Sequence, residues 1–303
     1  MVRFVLLLMA TAIVSPAFAA LDMDAAAQIY EAAAVREQVR ASLGAMPKRI
    51  REMFVAEART PLTDAQLKAI NDAAERGFRI DVFEPAAIAA LASNIDAATA
   101  KKTLGFLHSE VGLRMVASDR ALSALDEPTI DKVMSGELKA SSTPKRDQLF
   151  EKLEVAARST ESTVQIFTSM GRAVAIGTAI GTGADPIAVE ERSRKAGEAS
   201  RKDLENGMRD PLRRYMAYGY RDLSDAELKQ LLSFLESKPG ARYVSAYTAA
   251  MGAGFDAMGK RCGEQLGGAL RELAQAQAQN ATQPAPQSSP VPEPAPTPEP
   301  ATH

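Results

Sequence analysis

The segment Phe106 to Arg114, Phe-Leu-His-Ser-Glu-Val-Gly-Leu-Arg, returns 128 residues later as Phe234 to Arg242, Phe-Leu-Glu-Ser-Lys-Pro-Gly-Ala-Arg. The shared frame is F-L-x-S-x-x-G-x-R. The same offset relates Leu104 to Leu232, Val116 to Val244 and Ala121 to Ala249 without a gap. A repeat of long period marks a chain built from two copies of one unit. The copies occupy residues 96–121 and 224–249.

The frame has a physical reading. Phe and Leu close one amphipathic helix. Ser109 or Ser237 then caps the next, its hydroxyl accepting from a free N–H of the first turn. Glu110 is favourable beside the positive end of the helix dipole. Pro239 is tolerated where first-turn N–H groups have no partner inside the helix. Gly112 and Gly240 admit a neighbouring backbone. Arg114 and Arg242, about a turn further on, are placed to pair with carboxylates or cap carbonyls of a neighbouring helix. A helix start with Ser, Gly and a nearby Arg is also a place to hold an anion. Ser109, Gly112, Arg114, Ser237, Gly240 and Arg242 are therefore the candidate site residues. A structural corner is the leading reading, because no Gly-rich phosphate loop accompanies them.

Helical periodicity runs through the rest of the chain. Leu228, Leu231, Leu232 and Leu235 fall at i, i+3, i+4 and i+7. Leu149, Leu153, Ala157, Val164 and Phe167 suggest one face of another helix. Thr63-Asp64-Ala65-Gln66 and Ser224-Asp225-Ala226-Glu227 both fit the capping box. No alternating run bounded by hairpin turns argues for a strand. The expected fold is an all-α multi-helix bundle of two related helical halves, residues 20–140 and 141–279, without a substantial β-sheet. The expected helices cover about 23–44, a stretch from Pro47, 64–76, a short piece after Pro85, the first repeat copy and 128–134. A polar linker, residues 135–143, leads to a long helix from Pro144 that Gly177 to Asp185 interrupts. Pro211 is expected to start or kink a segment. The helix of the second copy extends toward Ala278.

The ends differ from the body. Arg3, the apolar run Phe4 to Val14 and Ala17-Phe18-Ala19 form a signal-peptide pattern cut after Ala19, which implies a periplasmic or secreted protein. Residues 280–303 are Pro-rich and read as a disordered, solvated tail.

Composition narrows the chemistry. Hydrophobic residues make up 46%, enough for a core, but aromatics are 5% and Trp is absent. That balance suits close helix packing and argues against large aromatic pockets. Net charge is −2, which gives no general attraction to nucleic acid or anionic membrane. One Cys, Cys262, cannot form an internal disulfide. With it and the distant His108 and His303, a Cys/His metal site cannot be assembled, and no EF-hand spacing is present. His108 reads as a solvent-facing helix residue. Gly177 to Gly183 contains G-x-x-x-G with no preceding strand, so it reads as a helix-packing surface and not a nucleotide loop. Polar residues within Val164 to Ile180 argue against an integral membrane span and for a buried or partner-facing helix. The mixed charges of Glu190 to Asp203 read as a solvated face with i,i+4 pairs. No catalytic, cofactor-binding or metal residue is assigned, and no cofactor is expected.

The repeated motif, its Ser-(Asp/Glu)-x-Glu-Leu helix start and the signal pattern resemble the bacterial domain of unknown function 2059 family. Phe234, Ser237, Pro239 and Gly240 carry the match, with Leu235 standing where that family commonly has Tyr. The resemblance covers about residues 222–247, with a fainter copy at 96–121, and implies an exported, mostly helical protein. The expected function is a non-catalytic binding or scaffolding component of the bacterial envelope, with an envelope protein as partner. Alternatives are a helical hydrolase using carboxylates such as Asp225 and Glu227, and peripheral membrane association through residues 164–183.

Overall fold

A computed structural model describes residues 22–58 and 61–282. The signal pattern at 1–19, and the tail beyond Thr282, lie outside the described residues. Thirteen helices and no strand occur among the described residues, so the fold is all-α. They are α1 (Met23–Ala32), α2 (Val35–Leu43), α3 (Met46–Glu57), α4 (Asp64–Gly77), α5 (Ile80–Asn94), α6 (Ala97–Leu107) and α7 (Glu110–Ser123). Then follow α8 (Glu127–Ser135), α9 (Pro144–Ala157), α10 (Ser159–Thr182), α11 (Pro186–Gly219), α12 (Asp225–Glu236) and α13 (Lys238–Thr282).

The axis of the molecule is α13, 45 residues long. It packs against α4, α5, α6, α10 and α12. Its closest neighbour is α10. Gly177 and Gly181 of α10 lie on the backbone of α13 between Lys260 and Gly268, and Gly263 of α13 lies on the Val174 carbonyl. A Cβ at Gly177 would collide with the Lys260 carbonyl, so side chains are absent where the two backbones meet. This is the close approach expected from the G-x-x-x-G spacing. Ser162 bonds Thr248 at 2.8 Å and Ser169 donates to Asp256 at 2.7 Å, so the contacts rise together along both helices and the pair is parallel. Residues 164–183 thus spend their small face on α13. No described helix is long and apolar enough to cross a membrane.

Two expected helices are divided. The stretch 23–44 breaks at Ala34, which takes a left-handed conformation (φ 52°) between α1 and α2. The long helix from Pro144 breaks at Arg158 (φ 50°), also left-handed. There the buried Glu154 side chain accepts from the Thr160 hydroxyl at 2.6 Å and turns the chain into α10. Phe167, expected on the same buried face as Leu149, lies beyond this corner and is 44% exposed. Conversely α10 continues through Gly177 and ends only at Gly183, because α13 supports it. The helix α5 starts five residues before Pro85, and α11 runs unbroken through Pro211 for 34 residues.

Both capping boxes form, with Thr63 paired to Gln66 and Ser224 to Glu227. The two repeat corners are built alike. Ser109 Oγ donates to the Phe106 carbonyl at 2.6 Å and accepts from Gly112 N at 3.1 Å. Ser237 makes the same two bonds, at the same distances, with Phe234 and Gly240. Each Gly sits on the carbonyl of its own Phe, which no Cβ would permit. The rings of Phe106 and Phe234 stack at 4.0 Å with planes 3° apart, joining the corners. Beyond the corners the copies diverge, since α7 has 14 residues where α13 has 45.

The core does not divide at residue 140. One cluster of buried side chains joins Ile29, Phe83 and Leu107 to Met258, Cys262 and Leu266. A second gathers Leu149, Phe150, Leu153, Leu228 and Leu231. Met115 and Phe106 pack against both.

Candidate functional site

The candidate anion residues are held within the corners. Ser109 and Ser237 spend their hydroxyls on local backbone, and the preceding helix fills the space before Gly112 and Gly240. Arg114 pairs with Glu227 and donates to the Asp222 carbonyl at 2.7 Å. Arg242 lies near Asp96, whose carboxyl stays below its usual range through the Thr99 backbone bond, with a contribution from the Arg242 charge. Both arginines thus serve the start of a helix in the other copy. Asp225 pairs with Arg146 at 2.8 Å, and Glu227 closes a capping box. Bonds from Ser224 and the nearby Arg114 hold Glu227 below the usual carboxylate range. These two carboxylates are committed to the α12 start.

A different place has the features of a site. A cavity of about 380 Å³ lies where the two core clusters meet. Seven helices contribute side chains to it. From α13 come Tyr243, Tyr247 and Met251, with Val244 and Thr248 beside them. From α10 come Ser159, Ser162, Thr163 and Ile166. Leu153 and Ala157 of α9, Leu231 and Leu235 of α12, and Met115 and Asp119 of α7 add to the wall, as do Gln38 of α2 and the neighbouring Ala33. Met216 and Tyr220 enter from the end of α11. At the repeat offset, Met115 and Asp119 occupy the positions of Tyr243 and Tyr247.

Asp119 is the only charged side chain of this lining. It is half-buried. The Tyr220 hydroxyl donates to its Oδ1 at 2.9 Å, and no Arg, Lys or His forms an ion pair with it among the described residues. Poor hydration pushes its carboxyl up to about 6, against the pull of the Tyr220 bond. A carboxylate left in apolar surroundings without a cation is costly to ionise. Burial also raises the Tyr220, Tyr243 and Tyr247 phenols, and the Asp119 charge adds to each. All three stay un-ionised near neutral pH. The Tyr243 and Tyr247 rings are 5.9 Å apart and tilted by 56°, so they form two inclined walls.

Composition pointed away from such a place. Only 6 Tyr exist, yet three of them meet here around one carboxylate, because an average over the chain does not record clustering in space. One local signal was available: Tyr243, Tyr247 and Met251 recur at four-residue spacing on one helix face. Asp119 gave no signal of its own, since its partners come from α11 and α13, more than a hundred residues away.

The other sequence expectations fall outside this site. His108 is exposed. Cys262 is fully buried against Gly77, and burial pushes its thiol up to about 12. The 190–203 stretch carries i,i+4 pairs, including Arg194 with Glu198 and Lys195 with Glu191, each at 2.7 Å. No cluster of three or more metal-binding side chains occurs among the described residues. Comparison with protein-family models, curated proteins and solved structures returns no match.

Proposed function

We propose that this is a non-catalytic binding protein of the bacterial envelope, which holds a small amphipathic molecule in the cavity between α7, α10 and α13. The observation that carries the reading is the cavity itself: about 380 Å³, mostly apolar, with one poorly solvated carboxylate and several hydroxyls. Pockets of a few hundred Å³ with few, placed polar groups are the usual form of small-molecule sites. Catalysis by paired carboxylates would need two acids whose environments push their pKa values apart in one pocket. Among the described residues this cavity offers one. The signal-like start and the resemblance to the domain of unknown function 2059 family support an exported location and are part of the proposal. The scaffold reading is thereby narrowed to binding within the helical body.

The test uses the mature chain and a neutral apolar fluorophore, N-phenyl-1-naphthylamine. Its emission should rise on binding and the rise should saturate. Thr163 is half-buried in the cavity wall, so Thr163→Trp should fill the space and weaken binding by about tenfold or more. Equal binding by the wild type and this variant would remove the cavity from the account.

A further inference from the structure

We infer that the ligand of this cavity is an organic ammonium ion carrying an apolar body, its cationic head held between Asp119 and the tilted rings of Tyr243 and Tyr247. The inference rests on the binding role proposed above and names the class of molecule bound. Three features of the cavity select that class.

The first is sign. The wall contains one ionisable carboxylate and no basic side chain. An anionic ligand would enter with no cationic partner and would face Asp119. A neutral ligand would expel water and leave Asp119 less well solvated than before. A cation alone compensates the charge.

The second is the kind of cation. A hard metal ion collects six or more oxygens, and no cluster of three metal-binding side chains occurs among the described residues. An ammonium head needs one carboxylate and is attracted to the faces of aromatic rings. Tyr243 and Tyr247 stand one turn apart on α13 and line the cavity together with Asp119. Tyr220 donates to Oδ1 and so holds the carboxylate in place.

The third is the body of the ligand. Met115, Met216 and Met251 line the same space. Thioether side chains are adaptable and polarizable and pack well against alkyl or aryl groups.

The groups facing Asp119 decide how binding responds to pH. They are Tyr220 from the end of α11 and Tyr243 and Tyr247 from α13, with Tyr215 of α11 close by. All four phenols are raised and stay neutral. The charge of Arg49 acts on Tyr215, in the opposite sense to burial. Asp119 is therefore the one group here that changes charge near neutral pH. Its protonation on acidification removes the partner of the cation, so affinity should fall as pH drops through about 6.

The experiment is isothermal titration of the mature chain with benzyltrimethylammonium and with its neutral isostere, neopentylbenzene. At pH 7.5 the cation should bind about tenfold tighter than the isostere. The preference should shrink to about twofold in Asp119→Asn and in the wild type at pH 5. Tyr247→Leu should weaken the cation about fivefold and leave the isostere little changed. Equal affinity for both probes, a preference that survives Asp119→Asn, or no binding of the cation would each overturn the inference. Retained binding of the neutral fluorophore alongside any of these outcomes would sink the ammonium reading alone. Loss of all probe binding would sink the cavity reading with it.

Discussion

Replacing Asp119 with Asn should make the protein more stable while removing the charge that the proposed ligand needs. The carboxyl titrates near 3.8 in an unfolded chain and is pushed up to about 6 in the fold. A folded-state value above the unfolded one means that the fold prefers the protonated acid. The stabilisation from that proton is complete below the unfolded value and is lost as pH rises through about 6. Above that range the ionised group opposes folding by about 3 kcal/mol, from a shift of roughly two units at 1.36 kcal/mol each. Asn is neutral at every pH and keeps an oxygen for the Tyr220 hydroxyl. The gain at pH 7.5 is therefore about 3 kcal/mol, a rise in Tm of roughly 6–12 °C for a domain of this size. At pH 4.5 the folded carboxyl is already protonated and the difference shrinks to about 1 kcal/mol, and below about 3.8 the two proteins should melt together. Thermal melts of both proteins across this pH range are the assay. A lower Tm for Asp119→Asn at pH 7.5, or a difference independent of pH, would refute the account of Asp119 as a poorly solvated, unpaired carboxylate. A carboxylate that weakens the fold fits a binding role better than a structural one.

Other contacts make separate predictions. Gly177→Ala drives a Cβ into the Lys260 carbonyl and should cost about 3 kcal/mol in urea unfolding, whereas Gly171→Ala, with open space around it, should be neutral or gain up to about 1 kcal/mol. Ser109→Ala and Ser237→Ala each remove a helix cap and should each lower stability by about 1 kcal/mol in the same assay. Cys262 should resist a thiol reagent such as Ellman's reagent in the native protein and react fully in denaturant, because its sulfur is buried and its thiolate disfavoured; fast native-state labelling would contradict its placement against Gly77.

The parts of the fold that depend on neighbours in the chain were readable from the sequence. Thr63 with Gln66 and Ser224 with Glu227 start helices through contacts three residues apart, so their residue types alone announce them. Gly177 and Gly181 announced a close packing surface, because small residues one turn apart leave a groove on any helix. The recurring Ser and Gly of the two corners make the same local bonds, so their common geometry was implicit in the repeated frame. The breaks at Ala34 and Arg158 were hidden because both are ordinary helix formers held left-handed by surrounding structure. At Arg158 the cause is Glu154 reaching Thr160, a contact that means nothing until α9 and α10 are in place. The cavity was hidden for the same reason on a larger scale. Asp119 acquires its character from Tyr220, Tyr243 and Tyr247 only when α7, α11 and α13 converge.

The most direct test of the central claim is native mass spectrometry of the protein purified from its native cells under mild conditions, beside the Thr163→Trp and Asp119→Asn variants. The account predicts a bound small molecule on the wild type, at a discrete added mass, that is lost from both variants; high-resolution mass of the released species should show a fixed positive charge or a basic amine. A wild-type protein that carries nothing and takes up no ammonium probe when offered one, or an adduct that persists unchanged in both variants, would contradict it.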